Sequence, residues 1–441
     1  MNKELWIQRA LEKGIDGFEI YQSVSASKEL TWYNHQMDTF VTSDVTGTSL
    51  RAIVDGNVSY LAMEKVDDAA MDSLLDRLKE QAGMITTEEV NALVGPMETE
   101  RVENTHTFKE PGMNEVNEVM KSLEEKILSY DSRVVQVGHL SWNQSGESRE
   151  ITNSLGLQVY DTQKMQLIAA NAVVSENGEV KDNFHIELVP DLAAFDEDKF
   201  VKELCDEALF KLGGKPIPSQ NCKVIFKREA MTSLFSAFSG LFSGEMIAKG
   251  ISPLKDKLHE KVFSDKITII DDPRNTDALS LANYDDEGYP TRKKVIVDHG
   301  VFEMMLHSTK SAAKMGMEST GNGFKNGFSS PVGVSAMNMY IEPGSKDLKE
   351  LEEEMQDGLV ITDMMGLHAG IDFVSTSFSL QAAGYWVKNG KKEKPVTLIT
   401  VASSFMELMN QVVAVGSDLD WKYHAIACPS IYFANCAVSG E

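Results

Sequence analysis

Tyr385-Trp386-Val387-Lys388-Asn389-Gly390 and the apolar run at 396–401 decide the fold class. Two strand-like segments flank an Asn-Gly pair, and these residues accept the positive φ angles of a tight hairpin turn. Strands joined so closely run antiparallel. The same turn chemistry recurs at Asp55-Gly56-Asn57, with a return strand at 58–63, at Glu176-Asn177-Gly178 and at Asp298-His299-Gly300. Parallel βαβ units would instead need a long crossover between neighbouring strands. The hairpins therefore predict an α+β fold with antiparallel sheets.

Outward from the hairpins, strand-like runs fall at 18–24, 30–33 and 49–54, then at 134–142, 157–160, 165–174 and 180–188. Helices are expected from an Asn2 cap to about Lys13, and at 67–82, 114–130 and 196–212. Caps, 3-4 apolar spacing and following glycines mark them. Leu212-Gly213-Gly214-Lys215-Pro216-Ile217-Pro218 reads as a linker, rich in residues that break regular structure. It divides an N-terminal α+β domain, 1–215, from a mostly antiparallel, β-rich C-terminal domain, 216–441. Within the second domain a strand at 222–226 leads into a helix expected at 228–249. Further short helices are expected at 346–357 and 403–412.

Composition narrows the function classes. The chain has 441 residues, 42% hydrophobic and 25% charged, with a net charge of −25. That balance permits a large core and argues against disorder. So acidic a surface repels phosphate backbones and anionic lipid, so no direct nucleic-acid or membrane partner is expected. No apolar run is long enough to span a bilayer, and the first residues do not read as a signal peptide. Four cysteines without a CxxC pair form no disulfide framework and suit a reducing cytoplasm.

Several short motifs invite chemistry. His259-Glu260 lacks the second histidine of a zinc-protease helix, since positions 263 and 264 are Phe and Ser. Ser311-Ala312-Ala313-Lys314 matches SxxK without its companion motifs and reads as a polar turn. Gly321-Asn322-Gly323 reads either as a loop whose open N–H groups hold a peptide or an anion, or as a plain surface turn. Asp363, His368, Gly370 and Asp372 gather carboxylates and an imidazole around glycines that allow close approach. Cys428 and Cys436 are eight residues apart, so a strand between them would put both on one face.

Several of these segments together resemble the TldD/PmbA family, metalloproteases with the older name "modulator of DNA gyrase". The likeness runs through Gly17-Phe18-Glu19-Ile20-Tyr21, Thr46 to Arg51 and Val54 to Val58. It continues through Asp285-Asp286-Glu287-Gly288-Tyr289-Pro290-Thr291, the hairpin at 295–306, Ser319 to Gly323, Met365 to His368 and Gln381 to Gly390. The order and spacing of these pieces carry it.

The resemblance implies zinc held by HExxxH on the helix after the first C-terminal strand, with a cysteine near the C-terminus. Here that helix, Met231 to Glu245, contains no histidine, and Cys428 would stand alone. The chain therefore resembles the PmbA branch, also called TldE. The resemblance then implies a cytoplasmic subunit with no catalytic residue, metal site or cofactor of its own. Its partner would be a TldD-type subunit that carries the zinc, or a second copy, and its substrate an unfolded peptide. Gly321, Asn322, Gly323, His368 and Gly370 are the peptide-binding candidates. Two alternatives stay open: a self-sufficient metallopeptidase using Asp363, His368, Asp372 or Cys428, and a non-enzymatic homodimeric peptide-binding or regulatory protein.

Overall fold

A computed structural model describes residues 1–85 and 92–441. The chain begins with α1 (Lys3–Glu12), whose N-cap Asn2 accepts a hydrogen bond from the Leu5 N–H. Three long strands follow: β1 (Gly17–Tyr33), β2 (Gln36–Val54) and β3 (Asn57–Met63). After α2 (Met71–Gly83) and α3 (Met113–Tyr130) come β4 (Val134–Asn153), β5 (Gln158–Glu176) and β6 (Glu179–Leu188). These strands form one antiparallel sheet in the order β3-β2-β1-β4-β5-β6. The runs at 18–24 and 30–33 are thus one strand. The polar stretch between them stays extended because β2 and β4 both offer ladder partners there.

Helix packing on this sheet follows the apolar spacing. Trp6, Leu75 and Leu78 of α1 and α2 bury against Phe18, Ile20 and Leu50. Val116, Met120, Leu123 and Ile127 of α3 share a second cluster with Trp142. Phe200 and Leu204 of α4 (Glu197–Phe210) join it. β6 is left as an outer strand of the sheet.

The C-terminal half starts with β7 (Gln220–Phe226) and α5 (Arg228–Phe238). The single helix expected at 228–249 is broken. Ser239–Phe242 tightens into a 3₁₀ turn, and a new helix, α6 (Gly244–Ala248), begins under a Ser243 cap. Serine and glycine cluster there, and their weak helix propensity explains the break. β8 (Ile269–Asp271), β9 (Lys294–Asp298) and β10 (Val301–Phe302) begin a small sheet that two later strands, at 339–341 and 426–427, complete. The SxxK segment is not a turn but α7 (Thr309–Met315), started by a Ser308 capping box with Ser311. A two-stranded ribbon, β11 (Gly323–Lys325) and β12 (Val332–Val334), and then β13 (Met339–Ile341) and α8 (Leu348–Met355) follow.

The remaining strands are β14 (Gly358–Met365), β15 (Ile371–Asp372), β16 (Ser377–Lys388), β17 (Lys391–Ser404), β18 (Val412–Val415), β19 (Ile426–Ala427) and β20 (Ile431–Ser439). A short helix, α9 (Phe405–Asn410), follows β17. β14 pairs with β7, β7 with β20, β20 with β17, β17 with β16, and β16 returns to β14. The ring is closed, so these strands form a small barrel. Phe226, Phe235, Phe238, Phe405 and Phe433 lie in the core cluster that the barrel shares with α5 and α9. The mixed α+β architecture with a β-rich second half is thus as the hairpins predict.

Candidate functional site

Asn183, Phe184 and His185 of β6 line one side of a groove of about 710 Å³. The opposite side is the start of α5, with Lys227, Arg228, Glu229 and Ser233, together with Lys422, Tyr423 and His424. A neighbouring cavity of about 450 Å³ extends it past Phe184 and Lys211 to Thr362 and Asp363. The groove therefore runs beside an outer strand of the first sheet and over the helix that follows the first barrel strand. Phe184 is 51% exposed within it.

The position of α5 follows from its contacts. The Arg228 N–H donates to Ser430 Oγ at 3.0 Å, and the Cys428 N–H donates to Thr232 Oγ1 at 2.9 Å. Met231, Leu234, Phe235 and Phe238 turn into the core. With the core-facing positions filled by apolar side chains, α5 turns Arg228, Glu229 and Ser233 towards the groove.

The groove's charges are held by one another. Burial pushes the Glu229 carboxyl up, but Lys227 and Arg228 outweigh it and hold the pKa at about 2. Arg228 Nε lies 2.8 Å from Glu229 and Lys422 Nζ 3.8 Å. Burial and Lys422 push His185 and His424 below the ordinary imidazole range, so both are neutral at pH 7. His185 Nε2 is 3.4 Å from Glu203 but is not aligned for a hydrogen bond, and it has no hydrogen-bond partner among the described residues.

The candidates named from sequence lie in separate places. Asn322 is fully buried. Its Oδ1 accepts from Lys294 Nζ at 2.7 Å, and its Nδ2 donates to Asp271 at 2.9 Å and to the Ser335 carbonyl at 2.9 Å. Gly321 passes within 2.6 Å, measured from a would-be Cβ, of the Pro290 carbonyl, and a Cβ on Gly323 would collide with Glu287. The Gly323 N–H donates to Asp285, whose carboxyl burial and Glu287 hold well above the usual range. This segment thus braces the Asp285–Gly288 turn, and Arg149 of β4 reaches the same turn with a 2.6 Å ion pair to Asp286.

His368 is exposed, on the turn between β14 and β15, and Gly370 closes that turn by donating its N–H to the Gly366 carbonyl. Asp372 accepts the Val374 and Ser375 N–H groups, while Asp363 is in the groove, 3.6 Å from Lys211. Asp363, His368, Asp372 and Cys428 therefore do not converge. Ser311 Oγ lies 3.1 Å from His307 Nδ1, both buried, whereas Lys314 is exposed, so no SxxK pair forms. His259 sits exposed at a turn with positive φ, 2.8 Å from Glu303. Cys428 and Cys436 do not share a strand, because Cys428 lies with Pro429 and Ser430 in the connection between β19 and β20, and Cys436 lies in β20.

Three domain models match the chain in order. The PmbA/TldA metallopeptidase domain 1 covers 18–82, the central domain 107–212 and the C-terminal domain 219–440. The chain belongs to the PmbA/TldD metallopeptidase family. Metalloprotease PmbA of Escherichia coli O157:H7 is 26% identical over 330 residues, 74% of this chain and 70% of that protein. A solved Thermotoga maritima structure, of the modulator of DNA gyrase type, superposes with a TM-score of 0.89 at 28% identity and covers 99% of both chains. TldE of Thermococcus kodakarensis shares the fold with a TM-score of 0.91 at 24% identity, covering 99% of this chain and 100% of that one.

The PmbA/TldD family name implies a metal, and the residues at α5 do not fit one. Its buried face is Ala, Met, Leu and Phe with the hydroxyl of Thr232, and the Cys428 thiol beside it is fully buried, with burial holding its pKa well above the ordinary value. Zinc takes three or four thiolate, neutral imidazole or carboxylate ligands together, and a lone buried thiol kept protonated does not supply such a set. Among the described residues no group of three His, Cys, Asp or Glu side chains is placed to hold a metal ion. The groove residues Phe184, His185, Glu229 and His424 escaped the sequence reading because they come from distant segments. The Lys227-Arg228-Glu229 triplet at a strand–helix junction was the one local signal.

Proposed function

We propose that this chain is the non-catalytic subunit of a TldD/PmbA-type metalloprotease. In this role it holds unfolded peptides for a TldD-type partner that supplies the zinc. The observation that carries the proposal is α5, whose buried face is apolar apart from Thr232, which accepts from the Cys428 N–H, and whose groove face is Arg228, Glu229 and Ser233, with no imidazole. Ser233 Oγ donates to the Glu229 carbonyl at 2.9 Å, and Lys227 and Arg228 hold Glu229 as a weakly basic carboxylate, so neither is set up as a nucleophile or as a base for water.

Binding would use the outer strand β6. An extended peptide can pair with exposed backbone of such a strand, gaining affinity without reading sequence. Folded proteins offer no free strand and are excluded. Phe184 would anchor one apolar side chain, and the ring of paired charges would tolerate polar ones. The barrel offers no such edge along its closed ring.

In this proposal Gly321, Asn322 and Gly323 act from beneath, bracing the turn that joins β4 to the C-terminal half. His368 and Gly370, on an exposed turn, meet the peptide or the partner subunit. The chain divides at residue 215 into two units with the groove at their seam. It works in the cytoplasm, paired with a TldD-type subunit or with a second copy.

Anisotropy of a labelled unfolded peptide titrated with the purified chain tests the groove. Phe184→Ala should weaken binding about 10-fold, the effect of losing one well-packed anchor. Unchanged affinity in that variant would place the peptide elsewhere.

A further inference from the structure

Cys222 in β7 and Cys436 in β20 face each other directly in the antiparallel ladder. Opposed residues in such a pair point to the same side, with Cα atoms about 4.5 or 5.5 Å apart according to the hydrogen-bond pattern. Both spacings lie inside the window of about 4.4–6.8 Å that a disulfide spans. Cys436 is buried in the barrel core, and Cys222, partly buried, packs against the same cluster. Both are free thiols. A register shift between Phe433 and Cys436 adjoins the pair and leaves its backbone local slack. Cys205 lies in the cluster of the first sheet, and Cys428 lies beside α5.

We propose that Cys222 and Cys436 form a thiol–disulfide exchange site at which a low-molecular-weight disulfide closes a cross-strand bond in the barrel. Access sets the order. Cys222, the more exposed, loses its proton to solvent and attacks one sulfur of the small disulfide. That S–S bond breaks, and the departing thiolate takes up a proton. Cys436 then loses its proton and attacks Cys222 Sγ, expelling the second small thiolate, which is protonated in turn. Two protein thiols and one small disulfide become one protein disulfide and two small thiols. The protein gives up two electrons and the small disulfide receives them. Burial pushes Cys222 to about 11 and Cys436 to about 12, so exchange is slow at neutral pH and quickens as pH rises. β7 runs directly into α5, so the bond would fix the strand that sets one side of the groove. The site stands independently of the peptide-holding proposal.

The test uses the full native chain and excess oxidised glutathione at about pH 8.5, where more thiolate is present. Thiols are counted after acid quenching and denaturation, and unreduced peptides are mapped by mass spectrometry. The expected result is a fall from four free thiols to two, with the Cys222 and Cys436 peptides linked and dithiothreitol restoring all four. Cys436→Ser should stop at glutathione held on Cys222, while Cys205→Ser should still form the link. Four remaining thiols, a bond that includes Cys205 or Cys428, or glutathione persisting on Cys222 in the unaltered chain would overturn the proposal.

Discussion

Lys294 Nζ lies 2.9 Å from Asp271 Oδ2, and both side chains are completely buried. Two charges removed from water are tolerable only when each is paired and further hydrogen-bonded. Asn322 completes the arrangement by accepting from the lysine and donating to the aspartate. A triad of this kind fixes β8, β9 and the Gly321–Gly323 segment in one geometry.

Replacing Lys294 with methionine should therefore cost about 3–5 kcal/mol, the usual penalty for stranding a buried charge. Urea unfolding of the variant measures it, and a loss below about 1 kcal/mol would mean that water or another group rescues Asp271.

Asn322→Ala should lower stability more than it lowers peptide affinity, because its amide is spent on Asp271, Lys294 and Ser335. Parallel unfolding and anisotropy titrations separate the two effects. A folded variant of normal stability with lost peptide affinity would assign Asn322 a direct contact.

Stability should respond to the buried His307 and the partly buried His185 and His424. Burial lowers the pKa of His307, while burial together with Lys422 lowers those of His185 and His424. In the unfolded chain these groups protonate near pH 6.5, so below about that pH the unfolded state binds more protons and stability falls as pH falls. The loss grows until the pH reaches the lowered folded values. Other groups titrate in the same range, so the informative quantity is a difference. His307→Gln should lose less stability than the parent between about pH 7 and pH 5, since one of these groups no longer titrates. Equal losses would show that His307 carries no such penalty.

His368→Ala should leave the unfolding curve unchanged, since the side chain is exposed and makes no hydrogen bond or ion pair with the described residues. It should weaken the complex with a TldD-type subunit or the affinity for peptide. An unfolding midpoint shifted as far as for a core substitution would contradict that placement.

Much of the fold could be read locally. Asn389 and Gly390 adopt φ of 51° and 70° at the hairpin tip, and Asp55-Gly56 and Asn177-Gly178 have the same signs. Such turns depend on the residues within them. Asn2 likewise caps α1 because its own side chain reaches the helix N–H groups. Barrel closure could not be read in this way, because it pairs Val224 with Leu359 and Cys222 with Cys436 across long sequence separations. Nor could the fate of Asn322. Gly-Asn-Gly has the composition of an exposed loop, and only the arrival of Lys294 and Asp271 makes it a buried crosslink. The groove was illegible for the same reason, as β6, α5 and Lys422 to His424 meet only in three dimensions.

Metal content is a direct consequence of the α5 sequence. The purified chain should carry well under one equivalent of zinc by elemental analysis, because a lone buried thiol is a poor ligand set. Zinc near one equivalent that disappears in Cys428→Ala or Glu245→Ala would reveal a site beside α5 and α6.

The most direct measurement is cleavage of an unfolded peptide by this chain alone, by an HExxxH-bearing relative alone, and by the two mixed. The expected result is no cleavage by this chain alone and cleavage by the mixture that exceeds the relative's own rate and is abolished by a chelator. Rapid, chelator-resistant cleavage by this chain without a partner would contradict its assignment as the non-catalytic subunit.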